Sequence, residues 1–281
     1  VEATGEAGIS AAHLASGEIT WRLNGADSGL WKQTVGTDDL PGFTGDTVYR
    51  NRISGCGEPN GVYEYGNTKL EDVTTHTFIQ EGNGFCIGCG TYEAPVQNES
   101  GVYEIRNAGQ LYWFRNHVAE GNLSANAILI ADITVNEDVL VDGELNEDAD
   151  LRKWNGIGSS ANKYTGTFDG KGYTISGLTS RGLFAYVGVG GTVQNVTVAD
   201  SYISGNGVGA IAGQNYGGTI ANCTVTDSVI SGTQKHVGGI VGTNYGTVTR
   251  CINDGCTVYN EEPSSVGGIV GYNNDAGSDP A

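Results

Sequence analysis

The stretch GGIVGTNYGTVTRC, residues 238–251, decides the fold because the chain repeats it with small changes. A close variant, GAIAGQNYGGTIANC, occupies residues 209–223, and GGIVGYNN begins at Gly267. With the related GLFA at Gly182, the copies begin 27, 29 and 29 residues apart. A period of this length is typical of solenoids, in which each unit is too small to bury its apolar face alone and stacks on its neighbours.

Each repeat contains two or three short β-branched runs separated by Gly and Asn, which predicts short strands joined by tight turns. Matched positions then define rows along the stack. Two rows are apolar and one is an asparagine ladder: Ile211, Ile240 and Ile269; Val193, Ile220 and Val248; Asn215, Asn244 and Asn273. The pattern predicts a mainly β protein built as a β-solenoid.

The segment before the repeats predicts a short helix that caps the solenoid. Asn107 followed by Gln110 has the spacing of a capping box, and Leu111, Phe114 and Val118 place one apolar stripe along the helix. After it, AILIADITV (residues 127–135) is interpreted as one strand, and DGELNEDADLRKW is an acidic insertion.

The first part of the chain predicts a smaller module of mixed α/β structure. SAAHLASGEITWRLN, residues 10–24, has near-helical apolar spacing with Ser10 as N-cap, although Gly17 weakens it. LWKQTVG and DTVYRNRISGCG are β-like. We therefore expect a module over residues 1–97 and a helix-capped solenoid over 98–281, with repeats from about residue 161.

Composition restricts the partners of the chain. The 281 residues include 32 acidic and 14 basic side chains, a formal net charge of −18, which repels nucleic acid and anionic membranes. No apolar run reaches the roughly 18 residues that cross a bilayer, so no membrane insertion is expected within this segment. The chain begins without Met and stops just after a repeat has begun, which suggests a segment of a longer exported protein.

The strongest chemical signal lies outside the repeats. GFCIGCGTYE places Cys86 and Cys89 in a C-x2-C turn, and Cys56 and His76 precede it with spacing C-x19-H-x9-C-x2-C. Four soft ligands at this spacing predict a structural zinc site with no open position for catalysis. The alternative is a disulfide from Cys56 to Cys86 or Cys89 with one thiol left free, since exported proteins favour disulfides.

Two recurring sets in the repeats are weaker ligand candidates. Asp200, Asp227 and Asp254 recur every 27 residues and form either a carboxylate column for Ca²⁺ or a polar ligand, or a set of turns in which Asp binds backbone amides. Tyr216 and Tyr245 follow the ladder asparagines and are candidates for an exposed aromatic step that contacts carbohydrate.

The repeat cysteines occupy nearly equivalent places in successive coils. Cys223 and Cys251 are interpreted as buried free thiols that stack as small apolar side chains. A bridge between the two coils, or between Cys251 and Cys256, is the alternative.

Several segments resemble a known family. VGGIVGTNYGTVTRC and its neighbours resemble the GLUG motif of bacterial surface proteins, YTGTFDGKGYTISGL resembles the coil that precedes such repeats, and VYEIRNAGQLYWF is similar to the helical start of these modules. Residues 14–50 resemble a linker module of the same exported proteins. The resemblance implies a right-handed parallel β-helix on or outside a bacterial cell, with adhesion as its function, and supplies no catalytic residues.

The sequence therefore favours a non-catalytic adhesion or scaffold region that presents loops to a host or matrix protein or glycan. Hydrolysis would need paired carboxylates in one groove, and His236 is the one histidine of the repeat region. The alternatives are an accessory region of a secreted protease or glycan-degrading enzyme, and a β-helical carbohydrate-active enzyme.

Overall fold

The computed structural model describes residues 11–25, 29–54, 56, 62–70, 76, 78, 82–86 and 89–274. Its contacts divide the chain into two compact units. Unit 1 comprises Val1–Phe78 and Cys86–Thr91, and unit 2 comprises Ile79–Phe85 and Tyr92–Ala281. Ser10, the expected N-cap, lies outside the described residues.

Unit 1 contains two short helices and an antiparallel strand pair. These are α1 (Ala11–Ala15), α2 (Glu18–Asn24), β1 (Tyr49–Ser54) and β2 (Val62–Gly66). The continuous helix expected over residues 10–24 is wrong, because Gly17 adopts a left-handed φ of 83° that separates α1 from α2. LWKQTVG forms only an isolated bridge, between Lys32 and Gly42, instead of a strand.

Buried side-chain amides hold unit 1 together. The fully buried Gln33 accepts a hydrogen bond of 2.6 Å from the Thr20 hydroxyl, and the Asn67 amide makes three hydrogen bonds to backbone groups. Among its described residues, the buried apolar side chains of unit 1 are those of Val48 and Cys86. The described part of unit 1 thus has little apolar core, and small units of this kind usually need an added crosslink.

Unit 2 contains one helix and many short strands in its described residues. They are β3 (Val96–Gln97), β4 (Tyr103–Ile105), α3 (Ala108–Ala119), β5 (Ala127–Leu129), β6 (Ile133–Thr134), β7 (Leu140–Val141), β8 (Glu144–Leu145), β9 (Thr167–Asp169), β10 (Thr174–Ser176), β11 (Thr179–Ser180), β12 (Phe184–Val187), β13 (Thr192–Gln194), β14 (Thr197–Ala199), β15 (Tyr202–Gly205), β16 (Ala212–Asn215), β17 (Thr219–Ala221), β18 (Thr224–Thr226), β19 (Val229–Gly232), β20 (Val237–Gly238), β21 (Val241–Asn244), β22 (Thr247–Thr249), β23 (Ile252–Asp254), β24 (Thr257–Asn260), β25 (Val266–Gly267) and β26 (Val270–Asn273).

Apart from the β7–β8 hairpin and the β20–β25 pair, the strands of unit 2 form four walls of a parallel β-helix. The first wall is β3-β4-β5-β9-β13-β17-β22, the second β6-β10-β14-β18-β23, the third β11-β15-β19-β24 and the fourth β12-β16-β21-β26. Neighbours within each wall are parallel except β3 and β4. Each regular coil contributes one strand to every wall, which confirms the predicted fold class.

The segment AILIADITV does not form the single strand expected from its apolar run. It divides into β5 of the first wall and β6 of the second, with a corner at residues 130–132. Both strands direct apolar side chains into the interior of the β-helix, so the apolar run continues from β5 to β6. Composition alone therefore does not mark the bend between them.

The predicted apolar rows line the interior. Ile211 and Ile240 of one row and Val193 and Ile220 of the other are 0% exposed. Ile269, in the last described coil, is 37% exposed. Stacking of successive coils therefore supplies the burial that no single coil can supply.

Helix α3 begins and packs as the sequence predicted. Asn107 Oδ1 accepts the backbone N–H of Gln110 at 2.9 Å, and all three residues of the apolar stripe are fully buried. Phe114 packs against Tyr164 and Phe168, with ring centroids 6.2 Å apart in both pairs. The helix thus joins the same hydrophobic core as the coils.

The asparagine ladder is also confirmed. Asn215 Nδ2 donates to Asn244 Oδ1 at 2.8 Å, and Asn244 Nδ2 donates to Asn273 Oδ1 at 2.7 Å. Asn215 also bonds the backbone N–H and carbonyl of Gly218. The ladder thereby satisfies buried polar groups at the turn and fixes the register of consecutive coils.

Candidate metal centre

Backbone hydrogen bonds join Cys86 to the residues that follow Cys89 in unit 1. The Cys86 carbonyl accepts a hydrogen bond from Gly90 N–H, and Cys86 N–H donates to the Thr91 carbonyl, both at 2.8 Å. Gly90 has a φ of 71°, a left-handed conformation that favours glycine. These bonds keep Cys86 close to the segment that carries Cys89.

The four predicted ligands converge on one point. Their ligand atoms all lie within 4.8 Å of one another. Cys56 Sγ lies 3.5 Å from Cys86 Sγ, and Cys89 Sγ lies 3.5 Å from His76 Nδ1. Tetrahedral zinc with Zn–S bonds of about 2.3 Å places its ligand atoms roughly 3.5–3.8 Å apart, so the spacing fits a shared metal ion.

The centre lies at the surface of unit 1. Cys86 is buried, Cys56 and His76 are half-buried, and Cys89 is exposed. The Cys89 sulfur also lies 3.1 Å from the Thr91 hydroxyl, and the His76 ring lies beside Phe78 with centroids 6.0 Å apart. One side of the cluster is therefore packed by protein and the other is open to ions in solution.

Mutual proximity shifts the proton affinities of the cluster. A hydrogen bond with Cys86, together with burial and Cys89, raises the pKa of Cys56 to about 11. Hydrogen bonding to Cys86 is also the main cause that raises the pKa of His76, whereas hydrogen bonds from Thr91 lower the pKa of Cys89. Three sulfurs this close cannot all be thiolates without a cation between them.

Two members of the predicted Asp column lie on left-handed turns: Asp200 and Asp227 are exposed and have φ values of 45° and 46°. The prediction is wrong for Asp254, which ends β23 and pairs with Thr226, so that Gly255, with a φ of 70°, takes the third turn position. Asp is among the few residues that tolerate this conformation. The left-handed backbone accounts for Asp at these two turns, and binding of backbone amides, Ca²⁺ or a polar ligand by the Asp side chains stays a prediction.

The tyrosines form a stack along the outside of the coils. The Tyr216 and Tyr245 rings have centroids 5.2 Å apart at an interplanar angle of 21°, and Tyr186 continues the stack at 6.3 Å. Lys163 Nζ lies 5.1 Å from the Tyr216 ring centroid. Because the rings face one another, their edges and hydroxyls are the parts left for a carbohydrate, whose binding stays a prediction.

The repeat cysteines stack as equivalent residues of neighbouring coils. Cys223 is buried and Cys251 half-buried. A hydrogen bond between their thiols lowers the pKa of Cys251 to about 7 and raises the pKa of Cys223. Both cysteines are free thiols, and the neighbouring Cys223 favours loss of the Cys251 proton.

A second ladder is not predicted by the sequence patterns above. Arg250 Nε donates to Asn222 Oδ1 at 2.6 Å, Asn222 Nδ2 to Asn195 Oδ1 at 3.0 Å, and Asn195 Nδ2 to Asp169 Oδ1 at 2.9 Å. The chain of hydrogen bonds runs from a guanidinium to a carboxylate. The repeat spacing of these four positions is the signal that the sequence offers, but only two of them are asparagine.

The structure also shows an acidic groove that the sequence patterns do not predict. The β7–β8 hairpin and the third wall enclose an open groove of about 930 Å³. The polar side chains that line it include Asp142, Glu144, Glu147 and Asp148 from the hairpin segment and Tyr202 and Tyr259 from the wall. The sequence marks the insertion as acidic but does not place it against a wall.

One coil of the β-helix matches a known motif. Residues 204–230, which run from the end of β15 into β19 and contain β16, β17 and β18, match the GLUG motif. The match covers one coil of the repeat array.

Two relatives and one solved structure resemble the chain. A protein of Evansella cellulosilytica, provisionally named a Gly-rich membrane protein, is 33% identical over 143 residues, which are 47% of this chain and 14% of that protein. Halomucin of Haloquadratum walsbyi is 33% identical over 206 residues, which are 70% of this chain and 2% of halomucin. The chain thus spans a small part of both relatives.

The solved structure is a Bacteroides ovatus protein provisionally titled an immunoglobulin A1 protease. It is 18% identical, with a TM-score of 0.42, over 64% of this chain and 76% of that one. Within the part of the chain that the structure describes, we find no helix that combines the length and apolarity needed to cross a membrane.

Proposed function

We propose that this chain is a non-catalytic, extracellular region of a cell-surface protein that presents its outer walls and loops to a partner. The partner would be a host or matrix protein or a glycan. The motif match at residues 204–230 and the likeness to a protein named as a membrane protein support the surface location.

The packing of the coil interior carries this proposal. Side chains from successive coils fill the interior, and those of Ile175, Phe184, Ile203 and Ile230 are 0% exposed. A filled interior leaves no room for a ligand, so recognition by unit 2 has to use its outer surface.

Two outer features offer contact surfaces of different chemistry. The tyrosine stack presents phenol edges suited to the hydroxyls of a glycan. The acidic groove presents carboxylates suited to a cationic or polyhydroxylated partner. Either surface would work without a reaction, as expected for adhesion.

A binding screen tests the proposal. The full 281-residue chain, labelled and at physiological salt, is incubated with arrays of glycans and extracellular-matrix proteins. We expect at least one saturable interaction that is weakened about tenfold by Tyr216→Ser with Tyr245→Ser, or by Glu144→Gln with Glu147→Gln.

Matched controls are available on the same unit. Tyr173→Ser removes an exposed tyrosine outside the stack, and Glu99→Gln with Glu120→Gln removes two exposed acids outside the groove. Both should bind as the wild type does. If the chain binds none of the arrayed glycans and proteins, the result contradicts adhesion. If an arrayed glycan is cleaved, the result contradicts the non-catalytic proposal.

A further inference from the structure

We propose that Cys56, His76, Cys86 and Cys89 bind one Zn²⁺ ion as a structural Cys₃His site in unit 1. The proposal rests on four ligand atoms within 4.8 Å of one another, a spacing that one tetrahedral ion can span. It is independent of what the outer walls of unit 2 bind.

The composition of the cluster favours a metal over a disulfide. A disulfide would use two of the three sulfurs. It would not explain why the third thiol and the imidazole of His76 lie at the same place. The imidazole nitrogen lies 3.5 Å from Cys89 Sγ, close to the separation of two ligands on one zinc ion. A single ion accounts for all four side chains.

The donor types favour zinc among divalent cations. Thiolate and imidazole donors suit zinc, whereas calcium and magnesium take oxygen ligands. Four protein ligands fill the tetrahedral shell and leave no position for water, which is the arrangement of a structural site. His76 would bind as a neutral imidazole through Nδ1.

The ion would supplement the small apolar core found among the described residues of unit 1. Cys56 and Cys86 are 30 positions apart in the sequence, and His76 and Cys89 are 13 positions apart. Tying these segments together removes conformational freedom from the unfolded chain. Binding would also release one proton per thiol, close to three per zinc ion near neutral pH.

Metal analysis of the intact chain tests the assignment. The chain is produced without a polyhistidine tag, reduced, and analysed for metal by mass spectrometry of the elements. We expect one zinc per chain, and after its removal we expect Co²⁺ to bind in equal stoichiometry with the intense visible bands of a tetrahedral thiolate site. Proton release during Zn²⁺ titration should approach three.

Variants separate the site from the other cysteines and histidines. Cys56→Ser and Cys89→Ser should each weaken zinc binding at least a hundredfold, and His76→Cys should retain it because it keeps four donors. Cys256→Ser and His236→Gln, which lie outside the cluster, should bind one zinc as the wild type does. Far-UV circular dichroism verifies that each variant keeps the β structure of unit 2, and retained one-to-one zinc binding by His76→Cys shows that unit 1 tolerates substitution at the site.

Three results would overturn the proposal. One is a chain that binds no zinc after reduction. Another is a Cys56–Cys86 or Cys56–Cys89 disulfide, found by non-reducing peptide mapping, that persists when zinc is supplied. The third is zinc binding that the Cys56→Ser and Cys89→Ser substitutions leave unchanged. A failed glycan screen would not produce any of them.

Discussion

Asn222 Nδ2 donates a hydrogen bond to Asn195 Oδ1 in the preceding coil, at 3.0 Å. Asn222 Oδ1 accepts another from Arg250 Nε at 2.6 Å, so this side chain links three coils. The amide dipoles point the same way from Arg250 to Asp169, and each hydrogen bond therefore strengthens the next.

Loss of the Asn222 link should loosen the coils measurably. Asn222 has a φ of 54°, so Asn222→Ala removes two hydrogen bonds and adds left-handed strain, and we expect a loss of about 2 kcal/mol of unfolding free energy. Asn222→Gly tolerates that φ and loses only the hydrogen bonds, about 1 kcal/mol. Urea unfolding followed by far-UV circular dichroism measures both, and equal stabilities of Ala and wild type would contradict the ladder's role.

Because the ladder ends on the carboxylate of Asp169, we expect the free energy of unfolding to decrease in acid. Burial opposes ionisation of Asp169, but hydrogen bonds from Asn195, Lys171 and Gln194 outweigh it and lower the pKa of Asp169 to about 2. Since the folded pKa lies below the ordinary value of 3.8, the stabilisation is complete above about pH 4 and disappears as pH falls through 2.

The variant Asp169→Asn isolates this contribution. Its urea midpoint should be lower than that of the wild type at about pH 5, and the difference should shrink between about pH 4 and pH 2. A difference that stays constant over this range would show that the charge of Asp169 does not contribute.

The backbone of Asn136 lies so close to Gly177 that we expect any side chain at position 177 to lower the stability of the fold. Gly177 has a φ of 75°, and an added Cβ would overlap the carbonyl oxygen of Asn136. We expect Gly177→Ala to cost about 3 kcal/mol or more, since both strain and overlap apply. Gly172 has a φ of 87° with open space around it, so Gly172→Ala should cost only about 1 kcal/mol. Thermal unfolding compares the two, and equal losses would mean that the overlap is relieved without cost.

The repeat cysteine pair predicts selective alkylation. Because hydrogen bonding with Cys223 lowers the pKa of Cys251 to about 7, the alkylation rate of Cys251 should rise through pH 7 and level off above it. Burial raises the pKa of Cys256, so the alkylation rate of Cys256 should still be rising at the pH where that of Cys251 levels off.

Removing the partner thiol tests the cause. In Cys223→Ala the pKa of Cys251 should return toward 9, which would slow its alkylation at pH 7 roughly tenfold. Iodoacetamide labelling with peptide mass spectrometry gives the rate at each cysteine. An unchanged rate at Cys251 would assign its reactivity to another neighbour.

The sequence by itself determined the solenoid. Periodic Gly, Ile and Asn positions specify corners, interior rows and a ladder because each repeat obeys the same local rules. The repeat spacing alone therefore assigns Ile240 to an interior row and Asn244 to the ladder. The C-x2-C spacing likewise predicted that Cys86 and Cys89 lie close together, since two intervening residues restrict the distance between the thiols.

Only the tertiary structure determined where the chain bends and which distant residues come into contact. The corner after β5, the groove beside the third wall and the approach of Cys56 to Cys86 depend on contacts between residues far apart in sequence. Such contacts arise from closing long loops around a shared core, and no local pattern encodes that closure. Asn195 and Asn222 illustrate both levels, because their spacing is in the sequence and their charged partners appear only when the coils stack.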